Sequence, residues 1–262
     1  MDLQLTGRTA IVLASTKGLG KATAFSLAKE GANVVISGRD EAALEAVAAE
    51  FKQEIGREPL TVMTDVTKAG DIERLVQATA EKFGTVDILI TNAGGPPAGT
   101  FEQMTDEHWQ QAFELNLLSV IRSIRAVLPY MRDQQFGRIV NFASSSFKQP
   151  IDNLILSNTF RTGIVGLAKT LASELGPDGI LINTVGPGRI GTDRLAYLDA
   201  VRADKSGQTV EEVRRQMEAA IPVGRYGEPD EFARVITFLA SPANSYVTGQ
   251  SILVDGGMVK AI

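Results

Sequence analysis

TAIVLASTKGLGKATAFSLAK, Thr9 to Lys29, is the stretch whose reading decides the fold. An apolar run from Ala10 to Leu13 passes through Ser15, Thr16 and Lys17 to Gly18-Leu19-Gly20, and a helical pattern comes at once after it. Strand, glycine turn and helix in that order make the opening unit of a parallel sheet. Glycines there let the backbone turn tightly and come close to an anion, whose charge meets the N-terminus of the helix. Alone, the turn is equally compatible with an ordinary strand–helix connection.

Working outward, the same alternation continues to the end of the chain. Strands are expected at Thr9–Leu13, Asn33–Ser37, Leu60–Thr64, Val86–Thr91, Arg138–Phe142, Ile180–Val185 and Ser251–Val254. Most are nearly continuous apolar runs, the pattern of strands covered by helices on both faces. Helical patterns lie near 20–30, 41–55, 69–83, 106–134, 153–176 and 229–240, with Gly31, Gly56 and Gly84 stopping the first three. The expected architecture is α/β: one Rossmann-type domain over 1–262, a doubly wound parallel sheet of about seven strands. The charged stretch 193–228 interrupts the alternation and reads as a helical lid inserted above the carboxyl edge of the sheet.

Composition narrows the function. The chain has no cysteine and one histidine, which removes thiol nucleophiles, disulfides and multi-histidine metal centres; no metal is expected. A net charge of −5 argues against nucleic acid as a partner. No apolar run reaches the roughly 20 residues of a membrane span. The first residues lack a signal-peptide pattern, so a cytoplasmic location is expected. His108, beside Trp109 at a helix start, reads as structural.

Further blocks occur in a fixed order. Asp65-Val66 follows the third strand and Thr91-Asn92-Ala93-Gly94 the fourth. Asn116 lies mid-helix, and GRIVNFAS ends at Ser144. Pro187-Gly188-Arg189-Ile190-Gly191-Thr192 precedes the lid, and GEPDEFA with TGQSILVDGG closes the chain. Together these resemble the short-chain dehydrogenase/reductases over nearly the whole chain, in the style of the 3-oxoacyl-(acyl-carrier-protein) reductases. The glycine turn is similar to that family's T-G-x-x-x-G-x-G, with Leu13 and Ala14 replacing its first two residues.

The resemblance implies a nicotinamide cofactor bound by Ser15, Thr16, Lys17, Gly18, Leu19, Gly20, Arg39, Asp65, Val66, Asn92, Ala93, Gly94, Arg161, Pro187, Gly188, Ile190 and Thr192. NADP(H) is expected over NAD(H). A cation after the second strand suits a 2′-phosphate and a carboxylate suits a free ribose, and Arg39 and Lys17 stand at the two expected places. Asp40, one position on, dissents.

Asn116, Ser144, Ser157 and Arg161 form the expected catalytic set, and here the chain departs from the family. Ser157 and Arg161, i and i+4 on one helix face, occupy the positions of the family's tyrosine and lysine. The register holds from both sides: 157 − 144 = 13 residues separate Ser144 and Ser157, a spacing common in the family. The run from Thr162 to Leu175 matches the family's segment just after its lysine. The Ser144-Ser145-Ser146 run leaves the serine's register open by one.

A serine hydroxyl neither ionises near neutral pH nor reaches as far as a phenol. Arg161 stays charged and can donate to ribose hydroxyls, without lysine's capacity to relay protons. Substitutes for the missing acid are a water held by Ser144, Ser157 and Asn116, Lys148 in the loop after Ser144, or Tyr197 in the lid.

The expected function is therefore hydride transfer to or from a small carbonyl or alcohol substrate by an altered proton route. A catalytically silent NADP(H)-binding sensor or partner subunit is the alternative, and an isomerase or lyase using the cofactor transiently is a third. The family's habit implies a homo-oligomer, dimer or tetramer. The stripe Trp109, Phe113, Leu117, Ile121, Ile124 and Leu128 could serve it or face the chain's own sheet. Arg194, Arg202, Arg214 and Arg215 hint at an anionic ligand, although interleaved acids read more simply as a solvated helix.

Overall fold

The computed structural model describes residues 1–261. The strands are β1 (Thr9–Val12), β2 (Asn33–Gly38), β3 (Leu60–Met63), β4 (Ile88–Thr91), β5 (Gly137–Phe142), β6 (Ile180–Pro187) and β7 (Ser251–Val254). They form one seven-stranded sheet in the order β3-β2-β1-β4-β5-β6-β7, with every pairing parallel. The order reverses between β1 and β4, so their carboxyl ends open a crevice at the switch point, where such sheets bind ligands.

Helices cover both faces: α1 (Gly18–Lys29), α2 (Glu41–Ile55), α3 (Ala69–Phe83), α4 (Asp106–Phe113), α5 (Ser119–Asp133), α6 (Ile155–Leu175), α7 (Asp193–Ser206), α8 (Val210–Ala219) and α9 (Pro229–Leu239). The two-residue period of the strands divides the core. Ala10, Val12, Val34 and Ile36 pack with α1, α2 and α9, and Ile11, Leu13 and Val35 pack with α3, α5 and α6. Gly56 and Gly84 end α2 and α3 in the left-handed conformation. Among the described residues no helix is long and apolar enough to cross a membrane.

Most element ends shift by a residue or two from expectation, and three differences bear on the architecture. β4 starts at Ile88, because the Asp87 carboxylate takes the Thr9 amide at 2.9 Å and the Arg8 guanidinium at 2.8 Å. β6 runs on to Pro187, which pairs with Val254. The expected single helix over 106–134 is broken by a π-helical turn, Glu114–Leu118, between α4 and α5. Such turns often accompany functional sites, and Asn116 is at its centre. Of the apolar stripe along these helices, Ile124 is buried in the sheet core while Trp109, Phe113, Leu117, Ile121 and Leu128 are half-buried. His108 caps α4, its Nδ1 accepting from the Thr105 amide at 3.2 Å.

The 193–228 stretch is helical, as expected: α7 and α8 form a lid whose ends are tied together. Gly191 donates to the Gly227 carbonyl at 2.8 Å and Gly227 donates to that of Arg189 at 2.9 Å. Inside, Leu195, Ile221 and Tyr226 make a small apolar core with Met217 and Met258. A buried polar lock completes it. Asp199 accepts from Arg189 and, at 2.9 Å, from the Tyr226 hydroxyl. Burial pushes that phenol up to about 12.

Candidate active site

The crevice is built on the glycine turn. Ala14, where the family pattern has glycine, lies at φ 46°, in the left-handed region, and its carbonyl accepts from Asn92 Nδ2 at 3.1 Å. A Cβ on Gly20 would sit 2.6 Å from that carbonyl oxygen and 2.8 Å from Asn92 Nδ2, so only glycine fits there. Lys17 precedes α1 in an extended conformation, gives no side-chain cap, and the first turn holds no acid. The leading N–H groups of α1 are thereby left without a side-chain acceptor, the condition in which a helix terminus takes a phosphate.

Left-handed alanine costs about 1–2 kcal/mol, and glycine returns roughly 0.4–1 kcal/mol of that through a freer unfolded chain. Ala14→Gly is therefore expected to stabilise by about 0.5–1 kcal/mol, read as a higher urea midpoint with unchanged slope. A lower midpoint would show that the turn relies on the Ala14 methyl group.

Ser15 does not face the crevice. It is fully buried; its hydroxyl donates to the Val12 carbonyl at 2.8 Å and accepts the Ser37 amide at 2.9 Å, and its own amide donates to Ser37. It ties β1 to β2 and has no donor free for a phosphate, which corrects its expected place among cofactor contacts. Thr16 packs against Gly38 and Leu19 against the core. Lys17 is exposed, 4.0 Å from the equally exposed Asp193, a pairing worth little in water.

At the end of β2, Arg39 is exposed. Asp40 caps α2, accepting the Ala43 amide at 3.1 Å. Burial works to raise the Asp65 carboxyl, but the Thr67 hydroxyl and amide, with Arg39 and Lys68 nearby, hold it below the usual carboxylate range. Val66 beside it is buried.

On the other side of the switch point lie Asn92, Ala93 and Gly94. Thr91, replacing the family's first asparagine, donates to Asn141 across β4–β5 at 2.8 Å. The π-turn residue Asn116, buried, donates to the Gly94 carbonyl at 2.8 Å and leaves its Oδ1 without a partner among the described residues. Ser144 follows β5 and is half-buried, while Ser145 and Ser146 are buried in the 3₁₀ turn behind it.

Ser157 and Arg161 lie on the buried face of α6, as their spacing predicts. The Ser157 hydroxyl makes no hydrogen bond among the described residues, whereas Arg161 Nη1 donates to the Phe142 carbonyl at 2.7 Å. Burial, with the charge of Arg194, pulls the Arg161 guanidinium down to about 10, still charged at neutral pH.

Beyond β6, a Cβ on Gly188 would meet Asp255 at 2.5 Å, so this glycine serves packing against the end of β7. Ile190 is buried, and Thr192 caps α7 through the Leu195 amide at 3.4 Å while lying 3.6 Å from the Cβ position of Gly18. Lys148 is exposed; Tyr197 is half exposed and stacks on Arg194 at 5.4 Å.

Arg202, Arg214 and Arg215 are exposed, consistent with a solvated helix, but Arg194 is not. Its Nη2 reaches across the crevice to the Pro96 carbonyl at 2.8 Å. No spacing in the chain foretells that contact, which joins the lid to the loop after β4.

The family model described as enoyl-(acyl carrier protein) reductase matches residues 13–259. The chain is 36% identical over 257 residues to a 3-oxoacyl-[acyl-carrier-protein] reductase of Synechocystis sp., covering 97% of this chain and 98% of that one. It is 34% identical over 259 residues to the corresponding enzyme of Aquifex aeolicus, covering 98% and 100%.

Among solved structures, L-sorbose reductase from Gluconobacter frateurii, complexed with NADPH and L-sorbose, superposes with a TM-score of 0.94 at 31% identity over the whole of both chains. An actinorhodin polyketide ketoreductase variant with NADPH gives 0.92 at 35% identity, covering 98% of this chain and 99% of that one. With this sheet order, this glycine turn and likeness over nearly its full length, the chain belongs to the short-chain dehydrogenase/reductase superfamily of oxidoreductases.

Proposed function

We propose that this protein is an NADP(H)-dependent oxidoreductase acting on a carbonyl or alcohol carbon by a proton route that uses no tyrosine at the family's position. The observation that carries the cofactor assignment is at the end of β2. Arg39 is exposed there beside Asp65, and the adjacent carboxylate, Asp40, accepts the Ala43 amide. An exposed cation at the place of a 2′-phosphate, with one oxygen of the neighbouring carboxylate engaged as a helix cap, favours NADP(H). When bound, the cofactor supplies or accepts the hydride.

The chain's own residues divide the remaining work. The open terminus of α1 meets the diphosphate, with Lys17 beside it. Gly94 to Pro96 and Thr192 to Arg194 border the reacting end, and Ser144 holds the substrate oxygen. Ser157 leaves room for a water that it could share with Ser144 and the unpartnered Oδ1 of Asn116. Arg161, charged throughout the physiological range, donates to ribose hydroxyls or to substrate.

A positioned general acid contributes about 10²–10⁴-fold, so a water route implies slow turnover. The same features favour the second reading, a silent NADP(H)-binding protein, if no carbonyl compound is converted. A homo-oligomer joined through the half-buried stripe of α4 and α5 belongs to this proposal.

The test is a fluorescence titration with NADPH and NADH, followed by a scan of carbonyl and alcohol compounds for changes in nicotinamide absorbance. Arg39→Asp is expected to weaken NADPH at least tenfold and leave NADH nearly unchanged. Equal effects on both coenzymes would remove the assignment.

A further inference from the structure

Two cations with no counter-charge stand at the reacting end of the crevice. Arg161 is only 6% exposed, and its one hydrogen bond goes to a carbonyl, that of Phe142. Arg194 is half-buried and also bonds only a carbonyl, that of Pro96. Its guanidinium lies over Gly95 so closely that a Cβ there would be 2.8 Å from it. Among the described residues neither arginine has a carboxylate within ion-pair distance. The acid next to Arg194, Asp193, is exposed and faces Lys17 at 4.0 Å.

The backbone places the pair together. Phe142 ends β5 and Pro96 comes after β4; these strands are neighbours, with Thr91 opposite Asn141 at their carboxyl ends. Asn116 is bonded to Gly94 in the same loop, at 2.8 Å. The two groups are near enough for the charge of Arg194 to act on Arg161.

Each arginine is in an unfavourable place. Arg161 is taken out of water with no opposite charge, which costs stability unless something offsets it. Arg194 is in the first turn of α7, where the helix dipole repels a cation and attracts an anion. The positive end of α7 carries Arg194, with Arg161 near enough to feel its charge, and the acid of that first turn, Asp193, is exposed. An anion arriving there offsets all three, and a planar carboxylate matches the guanidinium fork. The phosphates of a dinucleotide have their own partners elsewhere, at the α1 terminus, Lys17 and Arg39.

We propose that Arg161 and Arg194 form a receptor for a substrate carboxylate, so that the compound turned over is a small oxo acid or the corresponding hydroxy acid. This rests on the reading of the crevice as a hydride-transfer site and names the class of molecule that enters it. A carboxylate bound there would also bridge α7 to the buried face of α6.

The experiment is calorimetric titration of the full chain, with and without NADP⁺, using acetoacetate, its neutral methyl ester and inorganic phosphate. Acetoacetate is expected to bind at least tenfold tighter than the ester. Arg194→Gln should erase that margin, lowering acetoacetate affinity to the level of the ester, and Arg194→Lys should restore part of it. Equal binding of acid and ester, no effect of Arg194→Gln, or phosphate competing as well as acetoacetate would each overturn the proposal. Failure of NADP⁺ to bind would count against the cofactor reading, and the titrations without it would still decide the receptor.

Discussion

A Ser157→Tyr/Arg161→Lys protein is expected to reduce a simple 3-oxoacyl thioester about 10²–10⁴ times faster than the parent chain, the range a positioned general acid contributes. Both positions lie on the buried face of α6, so a phenol at 157 enters the crevice rather than solvent. A lysine ammonium at 161 lowers the phenol's pKa from its ordinary value of about 10. Ser144 and the π turn carrying Asn116 are untouched by the exchange.

Ser157→Tyr alone should gain less. Arg161 is longer than lysine and its Nη1 is directed to the Phe142 carbonyl, so its charge is not delivered where a phenolate forms. NADPH consumption monitored by absorbance, with NADPH affinity measured alongside, checks the result. A double variant that binds NADPH as tightly as the parent yet turns over no ketone would favour the silent reading. Loss of a native activity would show that Ser157 and Arg161 serve a reaction of their own.

The second large effect concerns the lid. Asp199 is 3% exposed and accepts from both Arg189 and Tyr226. In Asp199→Ala the half-buried arginine is left without a counter-charge and the phenol without an acceptor. Breaking a buried pair in this way costs about 3–5 kcal/mol.

That cost falls on a unit whose apolar core is small, and whose ends are joined by the Gly191 and Gly227 hydrogen bonds. The expected result is local: amide exchange in α7 and α8 accelerates by roughly a hundredfold to a few thousandfold, while β1, β4 and β5 keep their protection. Uniform acceleration through the sheet would show that the lock stabilises the whole domain and not the lid alone. If Arg194 must be held over the crevice, the same variant also weakens substrate binding more than NADPH binding.

The order of elements, the parallel sheet and the crevice at the switch point were legible from residue pattern alone. Runs such as Ala10–Leu13 and Val34–Ile36 can be buried only between two helical layers, and a βαβ repeat admits few topologies. Counting from Ser144 and from Thr162 puts Ser157 and Arg161 where the resemblance expects tyrosine and lysine, and both lie on the buried face of α6.

Four features were not legible. Ser15 looked like a phosphate contact, yet its donors go to Val12 and Ser37. The pattern over 106–134 was read as one continuous helix, and the π turn Glu114–Leu118 was not anticipated. Asp40 looked like a rival for the ribose until its place as a helix cap was seen. Arg194 looked like one of four solvated charges, yet it alone crosses to Pro96.

Burial and periodicity are properties of a segment, and the sequence carried them in full. Where a hydrogen-bond donor ends up depends on which distant backbone carbonyl lies within about 3 Å of it. That is decided only when strands far apart in the chain are brought side by side.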